Sequence, residues 1–125
     1  MNMDDLKLLD IVKAAPQFFS KGFLQYLAAN THVYREFEVW ADRLRAQGRT
    51  HYSALGIIHG VRLHTDVHEV GTHYKVTNNC APDFARLYIL CHLEAAAFFS
   101  IHNRKLSAEG SSEAFQRYVQ AKKAG

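Results

Sequence analysis

The stretch THYKVTNNCAPDFARLYIL, from Thr72 to Leu90, decides how this chain is read. Its first half alternates: His73, Lys75 and Thr77 interleave with Tyr74 and Val76, the period of a short strand or one hairpin arm. Its second half has helical spacing. Asn79 is placed to cap a helix, and Pro82 falls in the first turn, where a missing N–H does no harm. Phe84, Tyr88 and Cys91 then share one side, with Ala85, Leu87 and Leu90 widening the buried arc. The expectation is a hairpin running into a central helix.

Upstream, Ser53 is a good cap for a helix over ALGIIHGVRLHTDVHE, with Ile57, Ile58 and Val61 on its core edge. Gly56 and Gly60 each cost it about 1 kcal/mol of helix propensity, and their spacing suits close approach of another element. The preceding helix is the clearest in the chain. Asn30 is its expected N-cap, Val33, Phe37, Trp40, Ala41 and Leu44 form one apolar face, and Gly48 stops it. Before it, QFFSKGFLQYLAAN is a second helix that Gly22 weakens, so that Ser20 caps a shorter version. The N-terminal MDDLKLLDIVKAAP reads as a helix with Asp4 and Asp5 at its positive end, a Leu6, Leu9, Val12 stripe, and Pro16 as its end. Downstream, AAAFFSIHNRK either continues the central helix or becomes a strand at Phe98–His102. SSEAFQRYVQAKKAG closes the chain as a helix capped by Ser111 or Ser112.

The predicted fold is therefore mainly α: a single compact domain over residues 1–125, of about five to six helices with one short β-hairpin between the central ones. A hydrophobic content of 48% is enough to build a core without metal or disulfide staples. Cys80 and Cys91 form no CxxC pair and read as reduced thiols of a cytoplasmic protein. The N-terminus has no signal-peptide pattern. The longest apolar run holds His92 and Glu94 and falls short of the roughly 20 residues of a membrane span. No membrane partner is expected.

Eight histidines invite a metal reading. His64 and His68 stand four apart and share a helix face, but zinc needs at least one more ligand, for which His59 or His73 is the candidate. Thr65 stands where H-E-x-x-H requires glutamate. Partly exposed polar histidines on the solvent side of a helix are the favoured explanation, and no cofactor is expected. Cys91 and His92 are adjacent and diverge by about 100° on a helix, whereas Cys80 sits at a helix N-terminus that lowers a thiol pKa. No P-loop, G-x-G-x-x-G or G-x-S-x-G occurs, and the chain reads as no enzyme.

The basic residues point further. Arg43, Arg45 and Arg49 end the third helix, His51 and Tyr52 follow, and Arg62 lies one helix onward. Arginines there also complement the helix dipole, but with aromatics between them they suit phosphates. Tyr74, Lys75, Asn78 and Asn79 would add a polar loop at a helix N-terminus, a place favourable to an anion. The net charge of +3 permits such a partner without requiring it. A standard helix-turn-helix does not fit, because the connection between the central helices holds a strand-like run where the motif has a turn of about three or four residues; a winged or hairpin-bearing variant stays open.

Tyr52-Ser53-Ala54, Ile57-Ile58, Arg62, Lys75-x-x-Asn78-Asn79, Ala81-Pro82, Ala85-Arg86-Leu87 and Phe98-Phe99 resemble a family of small uncharacterised phage and prophage proteins. The chain departs from that pattern at Leu93, where the family has proline. The resemblance covers about half the chain and carries no activity. It implies a mobile-element origin, a bacterial host cytoplasm, and a role in DNA handling, regulation or inhibition of host defence. The leading expectation is a non-enzymatic protein engaging nucleic acid or a nucleic-acid-handling complex. The alternatives are an anti-CRISPR-like inhibitor that binds a host protein directly, and a small metal-dependent enzyme using His64 and His68.

Overall fold

The structure, a computed structural model, describes residues 2–64, 81–100 and 108–125, with 62–64 as backbone only. Six α-helices are present among them: α1 (Met3–Ala14), α2 (Phe23–Ala29), α3 (Thr31–Ala46), α4 (Ala54–His64), α5 (Ala81–Cys91) and α6 (Ser112–Ala124). Single 3-10 turns occupy Pro16–Phe18, Leu93–Ala95 and Ala108–Gly110.

Helix α5 is the axle of the fold. It packs against α1, α3 and α4, and eight of its eleven residues are buried. Phe84 sits edge-on to Phe23, Tyr34 and Phe37, with ring centroids 5.8, 5.9 and 5.3 Å away. Such edge-to-face contacts place the positive ring edge on the negative face of the neighbour. Phe37 and Tyr88 pass the aromatic packing on to Phe99, and Phe18 carries it to Phe115 on α6.

Several ends form as their local chemistry dictates. Ser53 Oγ accepts from Gly56 N–H at 3.1 Å and Ser111 Oγ from Ala114 N–H at 3.1 Å, each closing an otherwise orphaned donor in a first helical turn. Gly48 takes φ +91°, a left-handed conformation that side chains resist. Its N–H then reaches Arg45 O, and Arg49 N–H reaches Leu44 O, ending α3 as a Schellman motif.

Five expectations are corrected. No strand occurs among the described residues, so the fold class there is all-helical; the hairpin expected between the central helices lies outside them. Phe98–Ser100 is neither helix nor strand but turn and bend, with Phe98 and Phe99 buried. Burial of two consecutive rings defeats the alternation of a half-exposed strand. In α1 the inward face is Asp5, Leu8, Leu9 and Val12, while Leu6 is 45% exposed. The cause is apolar burial: Leu8, Leu9 and Val12 pack into the core as α1 lies against α2 and α5, while Thr31 Oγ1 and Arg35 meet the Asp5 carboxylate at 3.1 and 3.5 Å on the flank. Helix α2 is the shorter version, but its N-cap is Gly22 at φ +88° rather than Ser20. Asn30 does occupy the N-cap position of α3, yet its amide turns back and donates to Tyr26 O at 3.1 Å, closing α2 instead.

Candidate functional site

The arginines at the end of α3 divide into two kinds. Arg45 turns inward: Nη1 donates to the Tyr88 hydroxyl at 3.0 Å and Nη2 pairs with Glu94 at 3.3 Å. Arg43 and Arg49 stay exposed, and each guanidinium lies 5.8 Å from an aromatic ring centroid, Trp40 and Tyr52 respectively. Neither makes an ion pair with a described residue. Both are thus charged, solvent-facing and steadied by cation–π contact.

Tyr52 also lines a cleft of about 380 Å³. Its walls come from the residues leading into α4 (His51 to Leu55), from the first turns of α5 (Ala81, Pro82, Ala85, Arg86), and from Ser100. Three local bonds hold this wall. Tyr52 N–H donates to Phe98 O at 3.0 Å, His51 Nε2 lies 2.9 Å from Ser100 Oγ, and Ser53 caps α4. A Cβ at Gly56 would come within 3.3 Å of Tyr52 Cε2, so the glycine makes room for the ring. At Gly60 no described atom comes within 4 Å of such a Cβ, so of the two glycines only Gly56 serves a close approach among the described residues.

The floor of the cleft holds Arg86, which is 0% exposed. Its Nη1 donates to the carbonyls of Phe18 and Gly110 at 3.0 and 3.1 Å, and its guanidinium lies 5.4 Å from the centroid of the Phe115 ring. Asp83, equally buried, accepts from Ser20 N–H at 2.9 Å. The two charges of α5 therefore tie two separate connections, the one between α1 and α2 and the one before α6, to the central helix. Neither role was read from the sequence. The signal lay in Phe84–Leu90, which is apolar all round, so an arginine within it has no outward face.

At the other end of α5 lies a second polar cluster. Tyr88 donates to Asp42 Oδ1 at 2.6 Å, and its ring stacks on His92 at 4.3 Å. His92 Nε2 is 2.9 Å from Glu38 Oε2, and Nδ1 is 3.8 Å from Glu94. The Glu38 hydrogen bond raises the His92 pKa above its ordinary 6.5, against the opposing pull of partial burial. Burial alone would raise the Glu38 carboxyl; hydrogen bonds from His92 and Arg35 outweigh it and hold it below its ordinary 4.5. Burial pushes the Tyr88 hydroxyl upward, and the Cys91 thiol up to about 11, so Cys91 is a poor nucleophile at neutral pH.

Of the residues singled out for binding, Arg49 lies over the ring of the cleft-lining Tyr52, Arg43 lies over Trp40, and Arg45 is withdrawn into the polar cluster. Tyr74, Lys75, Asn78, Asn79, Cys80 and the candidate ligands His68 and His73 lie outside the described residues, as do the side chains of Arg62 and His64. Among the described residues no group of three His, Cys, Asp or Glu is arranged to hold a metal ion, and no helix is long and apolar enough to cross a membrane. No protein-family model, curated protein or solved structure matches the chain.

Proposed function

We propose that this chain is a non-enzymatic binding protein that engages nucleic acid, in keeping with the phage-type pattern of its central segment. One observation carries the reading: two exposed arginines near the end of α3, Arg43 and Arg49, are each laid against an aromatic ring, and the ring under Arg49, Tyr52, lines a cleft. Guanidinium groups held this way lose less freedom on meeting a phosphate, and phosphate contacts position a nucleic acid without reading its sequence.

The test is fluorescence anisotropy with labelled oligonucleotides over a salt series from about 50 to about 200 mM. Binding is expected to weaken linearly in log–log form. The double variant Arg43→Gln/Arg49→Gln should reduce the slope by about 1 to 2, because two ion-releasing contacts are gone. No affinity for DNA or RNA at low salt would end the proposal.

A second reading, direct binding to a host protein, draws on the same helix. Val39 is 39% exposed next to the half-buried Trp40, an aromatic of the kind that anchors interfaces. A 1:1 protein complex that is indifferent to salt and lost on Trp40→Ala would favour it.

A further inference from the structure

We infer that the cleft beside Tyr52 admits one unpaired nucleobase, so that the nucleic acid this protein binds is single-stranded; the inference rests on the function proposed above. The lining decides what can enter. Ala54, Leu55, Ala81, Pro82 and Ala85 offer only carbon side chains, and Tyr52 adds a ring. Arg86 is 0% exposed and its Nη1 is held by the carbonyls of Phe18 and Gly110, so it presents no donor to an occupant of the cleft. A phosphate drawn among such walls would exchange its full hydration for the helix N-termini of α4 and α5 at most, whereas at the rim it keeps its water and meets Arg49. A flat heteroaromatic base loses little there and gains apolar contact.

Size and edges agree with that occupant. The volume of about 380 Å³ falls at the lower end of the roughly 300–1,000 Å³ typical of small-ligand sites. His51, Ser53 and Ser100 place a few hydrogen-bonding atoms along an otherwise apolar wall, which suits the polar edge of a base. The solvent-facing positive charge is that of Arg49, which rests on the Tyr52 ring. A base in the cleft would therefore leave its phosphate near Arg49. Aromatic wall within and arginine without is the arrangement that binds single strands, whose bases are free to leave the stack. In a duplex each base is paired and stacked, and entry requires flipping it out at further cost.

The experiment compares a labelled oligo-dT with a DNA hairpin duplex of equal phosphate number, by anisotropy at low salt. The single strand is expected to bind roughly tenfold or more tightly than the duplex, from the worth of one aromatic–base contact. Tyr52→Ala should lose about that factor, and Tyr52→Phe should retain most of it. Leu55→Glu, on an exposed cleft residue, should weaken single-strand binding as well, and circular dichroism checks that each variant folds. If Tyr52→Ala does not fold, Leu55→Glu decides. Equal binding of duplex and single strand, or single-strand binding that neither cleft variant weakens, overturns the cleft assignment and leaves the broader function standing. Absence of binding to either probe overturns both.

Discussion

The two ends of α5 are joined to their surroundings by polar networks in opposite circumstances. Toward its start, Asp83 and Arg86 are 0% exposed and bonded to backbone groups of distant loops. Toward its finish, Tyr88, His92, Glu38, Asp42, Arg45 and Glu94 bond mostly to each other, and Glu94 is 65% exposed. Polar atoms at the sealed end have no water to fall back on, whereas those at the open end do. The difference teaches that burial of the partners, rather than the number of charges, sets what each network is worth.

The largest effect should come from breaking the sealed end. Arg86→Met keeps much of the stem but strips two charge-assisted hydrogen bonds from the buried Phe18 and Gly110 carbonyls. It should cost on the order of 3 kcal/mol or more in urea unfolding. A cost below about 1 kcal/mol would erase the contrast between the two ends. At the open end, Tyr88→Phe removes a hydroxyl shared by Asp42 and Arg45 while keeping the ring in the core. Because the freed carboxylate and guanidinium can rehydrate, about 1 kcal/mol is expected in the same assay.

The smallest effect is the most diagnostic, because it depends on pH. The His92 pKa is raised in the folded chain, so its contribution is fully present below its ordinary 6.5 and is lost as pH rises through the folded value. The Glu38 pKa is lowered, so its contribution is present above its ordinary 4.5 and is lost as pH falls through the folded value. The pair is therefore strongest between pH 4.5 and 6.5. Wild type should outlast His92→Gln most clearly inside that window, by under about 1 kcal/mol given partial solvent screening, with convergence above it. An NMR titration placing His92 at or below its ordinary value would show the pair to be without effect.

These contrasts track what was readable in advance. The Ser53 cap and the Gly48 stop were legible, and the last cap was narrowed to Ser111 or Ser112, because a cap joins residues a few places apart. Asn30 was legible as a boundary but not in its bonding, because two helix ends compete for one amide. The arginines at the end of α3 were legible as a cluster, yet which of them turns inward depended on Tyr88 and Glu94, more than forty residues along the chain. Arg86 was illegible as an anchor: the carbonyls it serves lie 68 and 24 positions away.

The amino-acid order by itself determined that this chain makes short amphipathic helices and where several of them begin and stop. Those outcomes follow from dihedral preferences and hydrogen bonds closed within a turn or two. Only the tertiary structure decided that α5 is enclosed, that Arg86 is sealed in, that Arg45 is spent internally while Arg43 and Arg49 remain outside, and that Tyr52 meets Ala81, Pro82 and Ser100 around a cleft. The physical reason is that desolvation and hydrogen-bond satisfaction belong to a place in space, and a place is assembled from segments with no knowledge of each other along the chain.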